Sequence, residues 1–380
     1  MAEMVGRAMR SICFFVIIMI GSVCAIAQVD TLGKHHWVIS GLAGSIVPHR
    51  SEMTPLIKGY SFGGSIQWMK RPTMPKWRIY QRFPTTGFDL YFSTTGNPEQ
   101  LGFQSALSYM IYRPYGKLKK CWYGMGLGVG YNSKIWDLET NHQATVISTK
   151  INCALTLHWQ YKLFSSHSHN HLLGLRMTHL SNGAYQLPNL GTNQFQLSYT
   201  IQPKMELPKR PMCITDELPY YFSSRIISVQ TACGIKETYQ PMGRKYPVGN
   251  VQVNYARLIN YQHRWSVGLD YLYQPALQKL YDKNLSQQSS PKNWQQWGAT
   301  LGYQSIFGYT TFAIQQGVYL KTDWKNNGSF YQRLSIRRNC MQLAKINSYF
   351  NRVYITAALF THWAKADHFE FGCGIDLFRR

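Results

Sequence analysis

The run Tyr123-Gly124-Met125-Gly126-Leu127-Gly128-Val129-Gly130-Tyr131 carries a bulky side chain at every odd position and glycine at every even one. A period of two puts all the bulk on one face of an extended strand and leaves the other face as bare backbone. A glycine-rich phosphate loop is a poor reading, because the glycines recur at every second residue and no helical pattern follows. The run fits a wall that shows apolar side chains to lipid and is crowded on its inner side.

The same period recurs along the chain. Tyr60, Phe62, Ile66 and Trp68 alternate with Ser61, Gly63, Ser65 and Gln67, and Ile151, Cys153, Leu155, Leu157, Trp159 and Tyr161 share one face of a later run. Further examples are Ile227-Val229-Thr231-Cys233-Ile235, Trp265-Val267-Leu269-Tyr271-Tyr273 and Phe369-Phe371-Cys373-Ile375-Leu377. About twelve to fourteen such segments are counted, and single-chain bacterial barrels favour even numbers. Polar, turn-rich stretches at 71–84, 203–219 and 277–293 separate some of them, and none reads as a linker between domains. The expected fold is all-β: one transmembrane antiparallel β-barrel domain spanning 28–380. A periplasmic β-sandwich also alternates. The barrel is preferred because the apolar face is often aromatic at its ends and small or polar opposite.

Composition agrees. Aromatic residues make up 14% of the chain and charged residues only 15%, against roughly 25% charged in ordinary soluble domains. The N-terminus carries Arg7 and Arg10, then an apolar run from Ile12 to Ile20, then Ala25-Ile26-Ala27. That order is a signal peptide, with cleavage expected after Ala27 and an apolar run too short to stay as a transmembrane helix. Export and barrel together predict the outer membrane of a Gram-negative bacterium. The net charge of +23 calls for an anionic partner. For an exported protein that partner is lipopolysaccharide phosphate or membrane lipid rather than nucleic acid. A generally basic surface is the plainer alternative, and oligomeric state is not readable.

Beyond the signal segment lie Cys121, Cys153, Cys213, Cys233, Cys340 and Cys373. Their spacings define no disulfide framework, so they are read as small apolar side chains.

Chemistry concentrates between Leu173 and Tyr199. Leu173, Leu175, Met177, His179 and Ser181 share one strand face, with His179 and Ser181 at the end of its apolar stripe. After a turn through Pro188, Asn189 and Gly191, a second strand presents Asn193, Phe195, Leu197 and Tyr199. A hairpin brings Asn193 to His179. A serine hydroxyl becomes a competent nucleophile when an imidazole takes its proton, and a third group must fix that imidazole's tautomer. His179, Ser181 and Asn193 are therefore the expected base, nucleophile and orienting group. Amide donors from Asn182 or Asn189 are the expected oxyanion support. No cofactor or metal is called for. The plainer reading is a polar strand end marking the membrane interface.

His179-Leu180-Ser181-Asn182-Gly183, followed by Pro188-Asn189-Leu190-Gly191, resembles the lipid A 3-O-deacylase family, an acyloxyacyl hydrolase-like group of outer-membrane barrels. The resemblance implies hydrolysis of an ester-linked acyl chain of lipid A in the outer leaflet, with His179 as base and Ser181 as nucleophile. Asn182 and Asn189 match asparagines of the family's motifs. The family's third group is typically Glu, where this chain has Asn193. An Asn there is similar to the His-Ser-Asn set of outer-membrane phospholipase A, which stands as the alternative beside a non-enzymatic porin-like barrel. His167, His169 and His171 alternate ahead of the strand with no carboxylate or Cys near them and are read as a solvated turn. His362 and Asp367 are assigned to a turn between the last two strands, without a catalytic role.

Overall fold

The computed structural model describes residues 35–70, 84–116, 120–204, 224–237, 241–278, 294–324, 328–346, 349–363 and 365–379. The expected signal segment, Cys213 and most of the turn-rich stretches lie outside them. Among the described residues there are sixteen strands and one 3-10 turn, at Ser51–Leu56.

The first eight strands are β1 (His35–Ile46), β2 (Ser61–Lys70), β3 (Thr85–Thr94), β4 (Phe103–Tyr115), β5 (Cys121–Asn132), β6 (Ile151–Ser165), β7 (His169–Ser181) and β8 (Thr192–Pro203). They pair in sequence order, all antiparallel, and β8 returns to β1 through Ile201↔Ile39 to Gln194↔Ile46, closing a barrel. The second eight are β9 (Arg225–Glu237), β10 (Lys245–Asn260), β11 (His263–Tyr273), β12 (Gln295–Phe307), β13 (Thr310–Lys321), β14 (Phe330–Ile346), β15 (Tyr349–His362) and β16 (Lys365–Arg379). They close on themselves where β16 pairs β9 from Phe371↔Cys233 to Phe378↔Ile226.

The architecture is all-β and antiparallel as expected, but the strands form two barrels of eight, not one wall of twelve to fourteen. Alternation reports which side chains share a face. It carries nothing about which strand closes on which, and the break at 204–224 reads locally like any other turn-rich stretch.

Each barrel turns its apolar side chains out. Trp37 and Phe62 are 61% exposed, and Leu175 and Leu197 are 56% exposed. For a bilayer-spanning wall this is the solvated state, since lipid replaces water. Cys233, Cys340 and Cys373 are free and exposed, while Cys121 and Cys153 are free and half-buried.

The lumens are filled, not open. In the first, Asp89 and Arg176 pair at 2.6 Å, Tyr91 donates to Gln194 at 2.8 Å, and His158 bridges Tyr112 (2.9 Å) and Ser198 (2.8 Å). The glycines of β5 make room for this packing. A Cβ on Gly126 would lie 2.1 Å from the Met110 sulfur, and one on Gly130 would lie 2.4 Å from a Leu180 methyl. In the second lumen Arg333 reaches Asp270 at 2.9 Å and Glu370 at 2.8 Å, and Arg352 reaches Asp376 at 2.7 Å. Charges inside a small barrel persist only when paired and hydrogen-bonded, which is what these networks provide.

The barrels touch at both ends. Arg113, on the outward side of β4, stacks on Phe307 at 3.9 Å and donates to the Ile306 carbonyl. At the other end the β7–β8 loop meets β9, β10 and β16. Glu237 N donates to the Ala184 carbonyl at 2.9 Å, Lys245 Nζ sits 3.7 Å over the Tyr185 ring, and Leu187 N donates to the Glu237 carboxylate. Tight packing at Gly183 completes this contact, since a Cβ there would lie 2.2 Å from Phe369.

Candidate active site

β7 and β8 form a hairpin with His179 directly opposite Asn193. Both side chains, and that of Ser181, project from the outer face, continuing the stripe of Leu173, Leu175, Phe195 and Leu197. Period two fixes this arrangement: residues 179 and 181 lie about 7 Å apart along the strand and emerge on the same side.

His179 Nδ1 lies 2.7 Å from Asn193 Oδ1. An amide oxygen only accepts, so Nδ1 carries the proton and Nε2 keeps its lone pair. Gly191 packs on this ring, and a Cβ there would sit 2.8 Å from His179 Cε1. With φ at +76° in the bargain, glycine is the residue this turn accommodates without strain.

Ser181 is 1% exposed. Its hydroxyl oxygen accepts from Asn189 Nδ2 at 2.9 Å and from Gly183 N at 3.1 Å. Two N–H donors thus converge on the Ser181 hydroxyl oxygen. No hydrogen bond joins His179 to Ser181 in this structure among the described residues. Catalytic hydrogen bonds are often long before substrate arrives.

The two loop asparagines divide their work in a way the sequence did not indicate. Asn189 turns its amide to Ser181, whereas the Asn182 side chain turns to the neighbouring loop. There it donates to the Gln186 carbonyl (2.8 Å), Thr149 Oγ1 (3.1 Å) and Ser148 Oγ (3.3 Å). Asn182 serves the site through its backbone: its N–H donates to Asn189 Oδ1 at 3.1 Å, which aims Asn189 Nδ2 at the serine. Replacing Asn189 with alanine is expected to lower kcat by about a hundredfold or more with little change in KM. Steady-state kinetics on a soluble ester analogue check this. An unchanged kcat would remove Asn189 from the oxyanion site.

One residue near the site escaped the sequence reading. His49, in the loop after β1, places Nδ1 2.9 Å from Asn193 Nδ2, and Val47 N donates to the Asn193 carbonyl at 2.8 Å. Burial is the main cause holding the His49 pKa below the ordinary histidine value, and Arg50 beside it pushes the same way.

The other histidines lie elsewhere. His171 stacks on Phe164 at 4.5 Å and bonds the Tyr199 hydroxyl at 2.8 Å, an aromatic cluster at the opposite rim. His169 Nδ1 is 2.7 Å from Ser168 Oγ. His362 ends β15 and bonds Tyr319 at 2.9 Å, while Asp367 lies within β16 rather than in a turn, bound to Lys236 at 2.8 Å and His368 at 2.7 Å. Both brace the rim of the second barrel.

Fold and site define the class: an outer-membrane-type β-barrel with its chemically equipped patch on the outer wall at one rim. Residues 62–202 match the family Lipid A 3-O-deacylase (PagL), and residues 225–380 match Acyloxyacyl hydrolase, C-terminal domain. The chain belongs to the lipid A 3-O-deacylase family, whose members are ester hydrolases. The two matches lie on either side of the break between the barrels, one on each barrel. No curated protein sequence matches the chain. Among solved structures, CdiB from Acinetobacter baumannii is 9% identical with a TM-score of 0.19, over 90% of this chain and 59% of that one. The chain therefore spans about three fifths of the length of CdiB. The Pseudomonas putida toluene transporter TodX is 8% identical with a TM-score of 0.17, over 92% of this chain and 90% of the other.

Proposed function

We propose that the chain is a serine esterase of the outer membrane that removes an ester-linked acyl chain from lipid A. The observation that carries this reading is the pairing of His179 with Asn193 beside a serine held by two N–H donors, all on the lipid-facing side of β7 and β8. An acyl chain lying along the wall over Leu173, Leu175 and Leu197 would bring its ester carbonyl to the rim, where Ser181 sits.

The chemistry follows from that placement. Ser181 Oγ attacks the ester carbonyl carbon as His179 Nε2 takes the hydroxyl proton. The carbonyl oxygen gains negative charge and is met by Asn189 Nδ2 and Gly183 N. Collapse expels the sugar oxygen, which recovers the proton from His179. Water, deprotonated by the same imidazole, then releases the fatty acid from Ser181. Asn193 supplies the orienting contact without a charge, so the imidazolium formed in each step is stabilised less than it would be by a carboxylate. The first 27 residues would export the chain, and its excess of basic residues suits the phosphates of lipopolysaccharide.

Asn193 also favours a second reading, hydrolysis of phospholipid acyl esters. Mass spectrometry of lipids from cells with and without the protein separates the two. Lipid A lighter by one acyl chain is the expected result. Lysophospholipid with unchanged lipid A would shift the substrate to phospholipid, and no acyl loss from either lipid would leave a non-enzymatic barrel.

A further inference from the structure

We infer that His49 is a positioning residue for the esterase site, setting the orientation of the Asn193 amide and through it the tautomer of His179. The inference rests on the proposed roles of His179 and Ser181.

An asparagine in the orienting position has a difficulty a carboxylate lacks. A carboxylate offers oxygen from either side, but an amide has one oxygen and one NH2 group. Turned one way, Asn193 accepts from His179 Nδ1 and leaves Nε2 unprotonated and able to act as the base. Turned the other way, it donates to Nδ1, moves the proton to Nε2 and disables the base. Something beyond His179 has to choose.

His49 Nδ1, 2.9 Å from Asn193 Nδ2, makes that choice. It accepts from the amide NH2 and so commits Oδ1 to His179. An NH2 group only donates, so this contact makes Nδ1 the bare nitrogen of the His49 ring. The relay thus runs His49, Asn193, His179, each contact fixing the proton position of the next. The loop carrying His49 is tied to the same strand by Val47 N to the Asn193 carbonyl, 2.8 Å.

The arrangement fails on protonation of His49. A protonated Nδ1 donates and no longer accepts, so the Asn193 amide is driven to turn its oxygen toward His49 and away from His179. The charged and titratable groups that bear on His49 are Arg50 on its own loop and His179 on β7. Burial and Arg50 disfavour a positive charge at His49, which keeps the relay intact at neutral pH.

The test uses full-length protein refolded in lipid vesicles, a chromogenic ester as substrate, and pH profiles of kcat and KM. His49→Ala should lower kcat by about tenfold to a hundredfold, the scale of a misoriented catalytic group, and leave KM nearly unchanged. In His49→Asn the side-chain oxygen can take the position of Nδ1, accept from Asn193 and not titrate, while the same amide can also turn its NH2 there. It should recover part of the loss and remove one ionisation from the acid limb. His49→Ala combined with Asn193→Glu should also recover activity, since a carboxylate needs no acceptor to orient it. Wild-type kcat and pH profile in both His49 variants, with Ser181→Ala inactive, would overturn the role of His49 and leave the site standing. Equal losses in His49→Ala and His49→Asn would overturn it as well. Activity retained in Ser181→Ala would instead remove the esterase reading beneath it. Should His49→Ala fail to fold, His49→Asn and its pH profile carry the test alone.

Discussion

Ser181→Ala is expected to reduce acyl release by about a thousandfold or more, and His179→Ala by a comparable factor. The two residues act as one unit, because the hydroxyl without the imidazole is a weak nucleophile and the imidazole without the hydroxyl has no nucleophile to activate. The double variant should therefore be little worse than either single one. What remains in the proposed scheme would come from Asn189 Nδ2 and Gly183 N, the two donors that rest on Ser181 Oγ in the wild type. Neither substitution touches the barrel closures, so both variants should fold and keep the heat-dependent electrophoretic mobility typical of such barrels. The measurement is fatty-acid release from purified lipid A by refolded protein. Full activity in Ser181→Ala would sink the nucleophile assignment, and activities that fall multiplicatively in the double variant would sink the idea of a coupled pair.

How much of this was legible in the sequence depends on the range of the interaction. Faces were legible, because a strand's period of two is a local property: it placed His179, Ser181 and Asn193 together on the outer wall. The hairpin pairing followed from the turn residues between the two runs, and the contact of His179 with Asn193 at 2.7 Å matches it. The Asn182 side chain was harder. It sits next to the serine in sequence, yet strand alternation turns it the other way, toward Thr149 and Gln186. His49 was out of reach altogether, being 144 residues from its partner Asn193, in a loop with no periodicity, and joined to it only by closure of β1 on β8. Closure is also what the periodicity could not count. The strands of both barrels alternate alike, and the division at 204–224 becomes visible only when β8 pairs β1 rather than β9.

The second barrel takes on meaning from this division. It packs on the β7–β8 loop, where Glu237 accepts from Leu187 N and its own N–H holds the Ala184 carbonyl. The same loop carries Asn189, two residues beyond Leu187. A loop that must aim an amide at a serine gains from a rigid backing, and the rim of a closed barrel is rigid.

The largest loss of stability is expected inside the first barrel, at Asp89→Ala. Asp89 and Arg176 are both fully buried, bonded through Nη2–Oδ2 at 2.6 Å and Nη1–Oδ1 at 3.3 Å, with Gln67 Nε2 on the same carboxylate at 2.9 Å. The guanidinium also lies 4.6 Å from the centre of the Tyr91 ring, and its Nε reaches Thr178 at 3.1 Å. Removing the carboxylate leaves a cation in a lumen packed for a neutral pair, at a cost of about 3–5 kcal/mol. Removing both charges, as in Asp89→Leu with Arg176→Met, should restore much of that stability, because the pair's attraction is largely offset by the cost of taking two charges out of water. Urea unfolding in lipid vesicles measures the difference, with the midpoint falling in Asp89→Ala and rising again in the double variant. Arg176 stands on β7, three residues before His179 and on the opposite face. Loss of the pair should therefore lower activity only through the folded fraction, leaving kcat per folded molecule intact. An unshifted midpoint in Asp89→Ala would mean that water enters the lumen and solvates Arg176, and the filled-barrel account of this fold would fall with it.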